Sequence, residues 1–451
     1  MKPLPPPAVD AALSAAEQAR LFGEMRQFLR HHVTEPWFPR CVDREAGGFF
    51  CNYNRQWMPR GQQHRMLESQ ARQPRSAARL ARAFPQEGQW AEIALHGWRY
   101  LRDQMWDQEL GGWYWMIGRD GQPRENAVKH AHSTAYAIEA CVLVHAATGE
   151  QAALDRAQEG FAWLDQHGHD NEYGGYQSWL HRDGAVIMPG YSGGSEPLGN
   201  DIGTKDINVH GDMIEALTTL FRARPGPLVQ DRLASLVHLV CTHMVAEDGA
   251  LHYGCYRDWR PQASLVRYGY GMQSYYRLMA AAHHVPEAVL ARDSALRLMR
   301  HIIVRAWAGP EGGLWYAGPA GHPDSLEGAS LFVHKRAWWV QFEGLRSMIL
   351  ALVRDGAAVP ELREKTLRQW EFVRDRMTDP IFRGVYAVCV EDLPLRQRLI
   401  GAVGIRGNRF KSGLWKDASH DTDCMLDCLR VLSGQPAEAD VPLPPSIESA
   451  T

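Results

Sequence analysis

Gly111-Gly112-Trp113-Tyr114-Trp115, a polar stretch, then Lys129-His130-Ala131-His132-Ser133-Thr134-Ala135-Tyr136 is the run from which the fold can be read. A glycine pair permits a tight turn in the left-handed region. The second part has the pattern of a helix that opens on polar residues and then becomes apolar. The unit recurs at Gly47-Gly48-Phe49-Phe50, Gly174-Gly175-Tyr176, Gly312-Gly313-Leu314-Trp315-Tyr316 and Gly384-Val385-Tyr386, with a weaker copy at Leu251-His252-Tyr253-Gly254. Successive copies are 64, 63, 78, 60 and 72 residues apart. A period of roughly 60–80 residues fits one helical hairpin plus a long loop, and six copies suffice to close a ring.

Working outward, apolar periodicity predicts twelve helices, over 11–32, from about 67, 90–106, 129–148, 152–166, 207–223, 229–246, 265–282, 286–307, 335–354, 360–377 and 419–432. Strand-like sequence is confined to short aromatic pieces beside the glycine turns. Helices before a turn carry surface charge, such as Arg99, Arg102 and Asp103. Helices after a turn open with unusual polar and aromatic residues. An inner ring within an outer ring explains this alternation, with the first helix packed on the last. The expected fold is therefore all-α, an (α/α)6 toroid spanning 11–435, between a loose Pro-rich arm at 1–10 and a flexible tail at 436–451. The inner-helix N-termini would meet at one mouth, where free N–H groups and helix dipoles favour polar ligands.

With 45% hydrophobic and 22% charged residues, the chain can bury a large core. A net charge of −3 without blocks of like charge gives no reason to expect nucleic acid or membrane partners. No apolar run reaches the roughly 18 residues of a span, and the N-terminus lacks an apolar signal core. Eight scattered cysteines read as buried thiols of a cytoplasmic protein. Sixteen tryptophans suit a cavity walled by flat apolar faces, although core packing can use most of them.

The inner-helix entries contribute, in turn, Arg72; His130 and His132; Asn208, His210, Asp212 and Glu215; Tyr268, Tyr270 and Gln273; Trp338, Trp339, Gln341 and Glu343; and Trp415, Lys416 and His420. Stacking aromatics, a cation, carboxylates and a group titrating near neutrality are what a carbohydrate pocket needs. Each has a plainer reading, since a histidine at a helix start is most often a hydrogen-bonded structural residue. Glu343 stands out because a carboxylate seldom sits on an apolar helix without a partner. His130-x-His132 has no metal-site framework around it in sequence and no HExxH occurs, so no metal is expected.

Together, Gln70-Ala71-Arg72, Gly111-Gly112-Trp113-Tyr114-Trp115, Asn208-x-His210-x-x-x-x-Glu215-Ala216, Tyr268-Gly269, Lys335-x-x-Trp338-Trp339-x-Gln341-x-Glu343 and Gly413-x-Trp415-Lys416-x-x-x-His420 resemble the N-acylglucosamine 2-epimerase superfamily over nearly the whole length. That superfamily includes cellobiose 2-epimerases and mannose or aldose–ketose isomerases. The resemblance implies an (α/α)6 barrel working without metal, nucleotide or other cofactor. Histidines there move the proton α to a sugar carbonyl through an enediol while an arginine steadies the oxyanion. By matching position, Arg72 is the family arginine, Trp339 and Trp415 are the sugar-stacking aromatics, and His420 is the C-terminal catalytic histidine. Where the family usually reads Asn-x-x-x-His-x-x-Glu this chain has Asp212 at the histidine, and its Tyr-Gly-His-Asp-x-Glu becomes Tyr268-Gly269-Tyr270-Gly271-Met272-Gln273.

The leading expectation is a divergent sugar isomerase or 2-epimerase. His420 would be the general base and acid, Arg72 and Tyr270 the oxyanion donors, and Asp212 or Glu343 would assist, Asp212 as a base if burial raises its pKa. Asn208, His210, Glu215, Trp339, Glu343, Trp415 and His132 would bind the sugar. A second reading is acid-initiated lyase, cyclase or hydrolase chemistry with Asp212, Asp421 and Asp423 as acids; Asp421-Thr422-Asp423 resembles the acid motif of class II terpene cyclases. A third is a sugar-binding member without turnover. Family members often form dimers, but the sequence shows no interface.

Overall fold

The computed structural model describes residues 12–262, 265–319, 335–356, 359–394 and 411–436. The arm expected at 1–10, and all but the first residue of the expected tail, lie outside the described residues. Among them are twelve helices of 12 residues or more: α1 (Ala15–Phe28), α2 (Leu67–Ala83), α3 (Gln89–Tyr100), α4 (Ala131–Thr148), α5 (Gln151–Gly168), α6 (Ile207–Ala223), α7 (Pro227–Leu239), α8 (Tyr268–Ala281), α9 (Ala288–Arg305), α10 (Trp338–Val353), α11 (Leu362–Arg376) and α12 (Ser419–Leu432).

The even-numbered helices form the inner ring, each packed on the next, with α12 back against α2 to close it. The odd-numbered helices lie outside, and α1 packs on α12, so the first helix meets the last as the alternation predicts. α4 is buried along almost its whole length and shows no polar stripe, as expected of a helix covered on every side. Three outer helices, α1, α3 and α7, run on into a π turn, at Leu29–Thr34, Leu101–Met105 and Val240–Met244, which sharpens the exit toward the following turn.

All six turns of the repeat are present, each closed by an antiparallel bridge: Val42 to Phe49, Trp106 to Trp113, His169 to Tyr176, Val245 to Leu251, Trp307 to Leu314 and Thr378 to Val385. The fourth differs from expectation in one respect. Its left-handed glycine is Gly249 (φ 84°), while Gly254 belongs to the strand beyond. Gly112 (φ 70°) also explains why a side chain is excluded, because a Cβ there would lie 2.7 Å from the Trp163 ring.

Two-residue strands precede four inner helices: β1 (Arg65–Met66), β3 (Lys129–His130), β5 (Lys205–Asp206) and β7 (Val266–Arg267). They pair antiparallel with β2 (Met116–Ile117), β4 (Trp179–Leu180), β6 (Gly254–Cys255) and β8 (Ala317–Gly318), each lying just after the next turn. A bridge from Ala337 to Val388 does the same before α10. Every such strap fixes the mouth of an inner helix to the next repeat.

An ionic latch, absent from the sequence reading, reinforces four turns. Asp43, Asp107, Asp170 and Asp379 lie four or five residues before the turn glycines and accept hydrogen bonds from the two turn N–H groups that follow, for example Glu109 and Leu110 on Asp107 at 3.1 and 3.2 Å. Each also holds a buried cation from the chain leading into an inner helix: Arg65 (2.5 Å), Lys129 (3.2 Å), Lys205 (3.1 Å) and Lys411 (2.9 Å). A second cation, an arginine in every case, completes each cluster: Arg119, Arg182, Arg257 and Arg55. Arg55 joins the first repeat to Asp379 in the last and so bolts the ring shut. All eight cysteines are free and buried. Among the described residues no helix is long and apolar enough to cross a membrane.

Candidate active site

The mouths of the six inner helices surround one cavity of about 380 Å³. Arg72 reaches it from α2, His132 and Tyr136 from α4, Asn208 and Asp212 from α6, Tyr270 and Gln273 from α8, Trp338 and Trp339 from α10, and His420 from α12. The intervening chain adds Tyr253, Arg267, Tyr316, Lys335 and Trp415. Every inner helix therefore delivers chemistry to one chamber, and its lining is polar and aromatic. A terpene-like substrate calls for a long apolar pocket, which this is not.

His420 stands at the second residue of α12, 8% exposed. Its Nδ1 is 2.5 Å from Glu343 Oε1, which leaves Nε2 as the free ring nitrogen. Burial works to raise the Glu343 pKa, but His420, Arg346 and Arg277 outweigh it and hold the carboxylate below its ordinary value. Gln273 Nε2 also donates to Glu343 Oε1, at 3.4 Å. The imidazole is thus oriented by an ionised carboxylate, the arrangement that stabilises an imidazolium when it forms. Trp339 lies 6.1 Å from the His420 ring and 4.9 Å from Tyr270. Trp415, 37% exposed, stands across the mouth 6.4 Å from His132. Arg72 lies 4.2 Å over the Tyr136 ring, and its Nε is buried without a hydrogen-bond partner among the described residues. Burial keeps the Tyr270 phenol far above its ordinary pKa, hence neutral and able to donate.

Asp212 corrects an expectation. Burial does push its pKa up, but Arg277, His132 and Arg72 more than reverse this and bring it to about 2. It is an ionised carboxylate fastened to Arg277 and, at 2.8 Å, to His132 Nε2, hence a weak base and no acid. Asp423 is also unsuited to donate a proton. It lies deeper in the barrel between Arg75 and Arg79, whose charges overcome burial and lower its pKa. Asp421 is raised to about 6 by burial but does not line the chamber. The acid-initiated reading thereby loses two of its three acids, and the third is out of reach of a ligand in the cavity.

Three expected sugar ligands lie elsewhere. His210 is fully buried behind the wall, donating from Nδ1 to the Asp206 carbonyl (2.7 Å) and accepting from the Tyr176 N–H at Nε2 (3.1 Å). Burial lowers its pKa to about 3, which keeps it a neutral structural residue. Glu215 pairs with Arg277 (2.7 Å) further down the barrel, and Glu343 is covered by His420. The structure brings together Arg72, His132, Asn208, Asp212, Tyr270, Trp339, Trp415 and His420.

Sequence reasoning missed Arg267, Tyr253, Tyr316 and Glu68. Glu68 is fully buried and its Oε1 lies 3.2 Å from His132 Nδ1, so this imidazole sits between two carboxylates. A signal was available. Glu68 and His132 are 64 residues apart, as are Arg75 and Glu139, and 64 is also the separation of the first two glycine turns. Residues one repeat apart fall in register on neighbouring inner helices. Glu68, His130 and His132 also form the one group of three such side chains, among the described residues, whose donor atoms lie close enough to share a cation.

The profile of the N-acylglucosamine 2-epimerase (GlcNAc 2-epimerase) family matches residues 47–158. The chain is similar to cellobiose 2-epimerase of Bacteroides fragilis, 27% identical over 369 residues, covering 79% of this chain and 88% of that one. It is also similar to D-mannose isomerase of Marinomonas mediterranea, 24% identical over 409 residues, covering 82% and 91%. Among solved structures, cellobiose 2-epimerase from Bacillus thermoamylovorans B4167 superposes with a TM-score of 0.77 at 20% identity, over 91% of this chain and 99% of that one, a likeness of fold.

Proposed function

We propose that the chain, similar to N-acylglucosamine 2-epimerase family members in sequence and fold, is a sugar isomerase or epimerase acting by proton transfer α to the carbonyl of a reducing sugar. The observation that carries this reading is His420 Nδ1 on the ionised Glu343, with Nε2 free at a cavity that also holds Arg72 and the indole faces of Trp339 and Trp415.

In the proposed reaction the open-chain sugar lies against Trp339 and Trp415, which present flat apolar surface to its C–H faces. His420 Nε2 removes the proton at C2 as the C1 carbonyl oxygen gains negative charge, which Arg72 and the neutral Tyr270 hydroxyl stabilise. Returning the proton to C1, while the C2 hydroxyl proton passes to the C1 oxygen, gives the ketose, and returning it to C2 from the other face gives the epimer. A single base can carry a proton between adjacent carbons. Asp212 and Tyr270 stand where the family resemblance calls for histidine, and both nitrogens of His132 are engaged by carboxylates. His420 is therefore the proton carrier best supported, and aldose–ketose isomerisation the favoured outcome.

The test is proton NMR in D2O on glucose, mannose and cellobiose, following deuterium entry at C2 of the aldose and at C1 of the ketose, and the identity of the product. The expected result is exchange with one of these sugars, reduced ~100-fold or more in His420→Asn. Calorimetric binding without exchange would replace the reading with a sugar-binding protein. Exchange unaffected in His420→Asn would assign the chemistry to another residue.

A further inference from the structure

His130 and His132 looked unsupported in sequence; the fold surrounds them with carboxylates from three other segments. Glu68 arrives from the first turn of α2, Asp212 from α6, and Glu196 from the chain between β4 and β5. Exposure is 0% at His130, 3% at His132, 0% at Glu68 and 4% at Glu196. One donor atom from each of Glu68, His130 and His132 lies within 4.8 Å of the other two.

The hydrogen bonds around this group are arranged in a particular way. Each imidazole has Nε2 on a carboxylate, His130 on Glu196 Oε1 at 2.8 Å and His132 on Asp212 Oδ2 at 2.8 Å. Glu196 is itself fastened, its Oε2 accepting from the N–H groups of Leu198 (2.8 Å) and Asn200 (2.9 Å). Asp212 is held in turn by Arg277. Both imidazoles thus keep Nδ1 free of these two carboxylates. His132 Nδ1 is 3.2 Å from Glu68 Oε1, while His130 Nδ1 and Glu68 Oε2 have no hydrogen-bond partner among the described residues. Two orphaned polar atoms on fully buried side chains in one cluster are costly unless something occupies the space between them.

We propose that Glu68, His130 and His132 form a binding site for a divalent transition-metal ion, zinc foremost, with Glu196 and Asp212 as the carboxylates that orient the two histidines. A histidine ligand commonly gives its other ring N–H to a carboxylate, which fixes the tautomer and raises the basicity of the ligating nitrogen. Two imidazoles and one carboxylate suit zinc, and three protein donors leave a coordination position for water or a substrate oxygen. His132 lies on the wall of the sugar cavity, so that position would be next to the chamber and not in a sealed core. The site stands whatever reaction the chamber performs.

The experiment uses the full-length chain without a polyhistidine tag, stripped with EDTA and then titrated with Co2+ and with Zn2+. The expected result is one equivalent of Co2+ giving visible d–d absorption, displaced by Zn2+, with an upward shift in melting temperature for either ion. His130→Ala and Glu68→Gln should each lose the absorption. Glu196→Gln removes no ligand and should weaken binding by ~10–100-fold. If His130→Ala does not fold, Glu196→Gln alone decides the matter. A wild-type protein that takes up neither ion stoichiometrically would overturn the proposal. So would Co2+ binding unchanged in Glu196→Gln or His130→Ala, which would put the ion elsewhere on the chain.

Discussion

Replacing Glu343 by glutamine isolates the part of the proposed mechanism that the geometry defines best. The substitution keeps the shape of the side chain and its contact with His420 Nδ1 but removes the charge. The contact is 2.5 Å and buried, and the imidazole must gain a proton as the sugar loses one. A hydrogen bond to a charged group contributes about 1.5–3 kcal/mol. At about 1.4 kcal/mol per tenfold in rate, the loss should be roughly 10–150-fold in kcat. KM should move little, because Glu343 lies behind His420 and does not touch the sugar. The fold should survive, since Arg346, the cation beside Glu343 at 3.8 Å, keeps Asp427 at 2.6 Å. The assay is deuterium entry at C2 under saturating sugar, with far-UV circular dichroism and melting temperature as controls. Wild-type kcat in a folded Glu343→Gln protein would refute the role assigned to the His420–Glu343 pair. A raised KM at constant kcat would make Glu343 a determinant of sugar binding instead.

Other consequences can be measured separately. Asp379→Asn removes the charge that holds Arg55 and Lys411 and bolts the first repeat to the last; breaking a buried pair on one side costs about 3–5 kcal/mol, a fall of roughly 5–10 °C in melting temperature, and a fall no larger than that of an exposed pair such as Arg20–Glu24 would deny the latch its role. Asp43, lowered to about 2 chiefly by Arg119, its turn N–H groups and Arg65 against the effect of burial, and Asp107, Asp170 and Asp379, lowered in the same way, contribute stability that is full above the unfolded carboxylate pKa near 4 and is lost as pH falls through their folded values. Melting temperature should accordingly hold between pH 5 and 8 and drop steeply below about pH 4, and an acid-insensitive melting curve down to pH 2 would contradict it. Trp339→Ala should raise KM for the sugar by about tenfold through the loss of one stacking face, whereas a pure kcat defect would show that Trp339 instead positions His420, which it neighbours. In Gly269→Ala the new Cβ would lie 2.3 Å from the Trp339 ring, so sugar affinity should fall as the indole is displaced; unchanged affinity would mean the helix shifts instead.

The toroid was legible because its period is written in glycine. Positive φ at a tight turn leaves few other residues admissible, and aromatic neighbours mark the strand that follows. Helix 207–223 emerged with its predicted ends, because Asp206 caps the first turn and the apolar spacing is regular. Three outer helices, α1, α3 and α7, ran longer in sequence than in space, since periodicity does not distinguish an α turn from the π turns that end them. Within the site, Arg72, Asp212 and His420 were legible as unusual residues at helix mouths. His210 misled for the same reason: position at a helix start says nothing about which way an imidazole faces. Glu68 was hidden by looking ordinary, an acidic residue in the first turn of a helix, where the dipole favours one anyway. Only its register, one repeat before His132, distinguishes it.

The axis of the barrel accounts for why these charges could not be read one at a time. Below the chamber the inner helices face one another with arginines and carboxylates in alternation: Arg75 with Glu139 and Asp423, Arg79 with Asp423 and Asp427, Arg346 with Asp427 and Glu343, Arg277 with Glu215 and Asp212. Patterning rules place such residues outside, and an apolar plug of the same volume would be at least as stable, because burying ion pairs gains little over hydrophobic packing. What the ionic column provides is a fixed charge state at its upper end. Glu343 and Asp212 are its two termini: against the effect of burial, Glu343 is kept below its ordinary pKa chiefly by His420, with Arg346 and Arg277 assisting, and Asp212 chiefly by Arg277, with His132 assisting. The carboxylates that meet the chamber histidines are thus tied to arginines that lie outside the cavity lining. Substitutions that remove a charge deep in the column, such as Arg346→Met, should therefore alter the pH dependence of C2 exchange before they alter sugar affinity. A variant with unchanged pH dependence would separate the column from the chemistry and leave it as scaffolding.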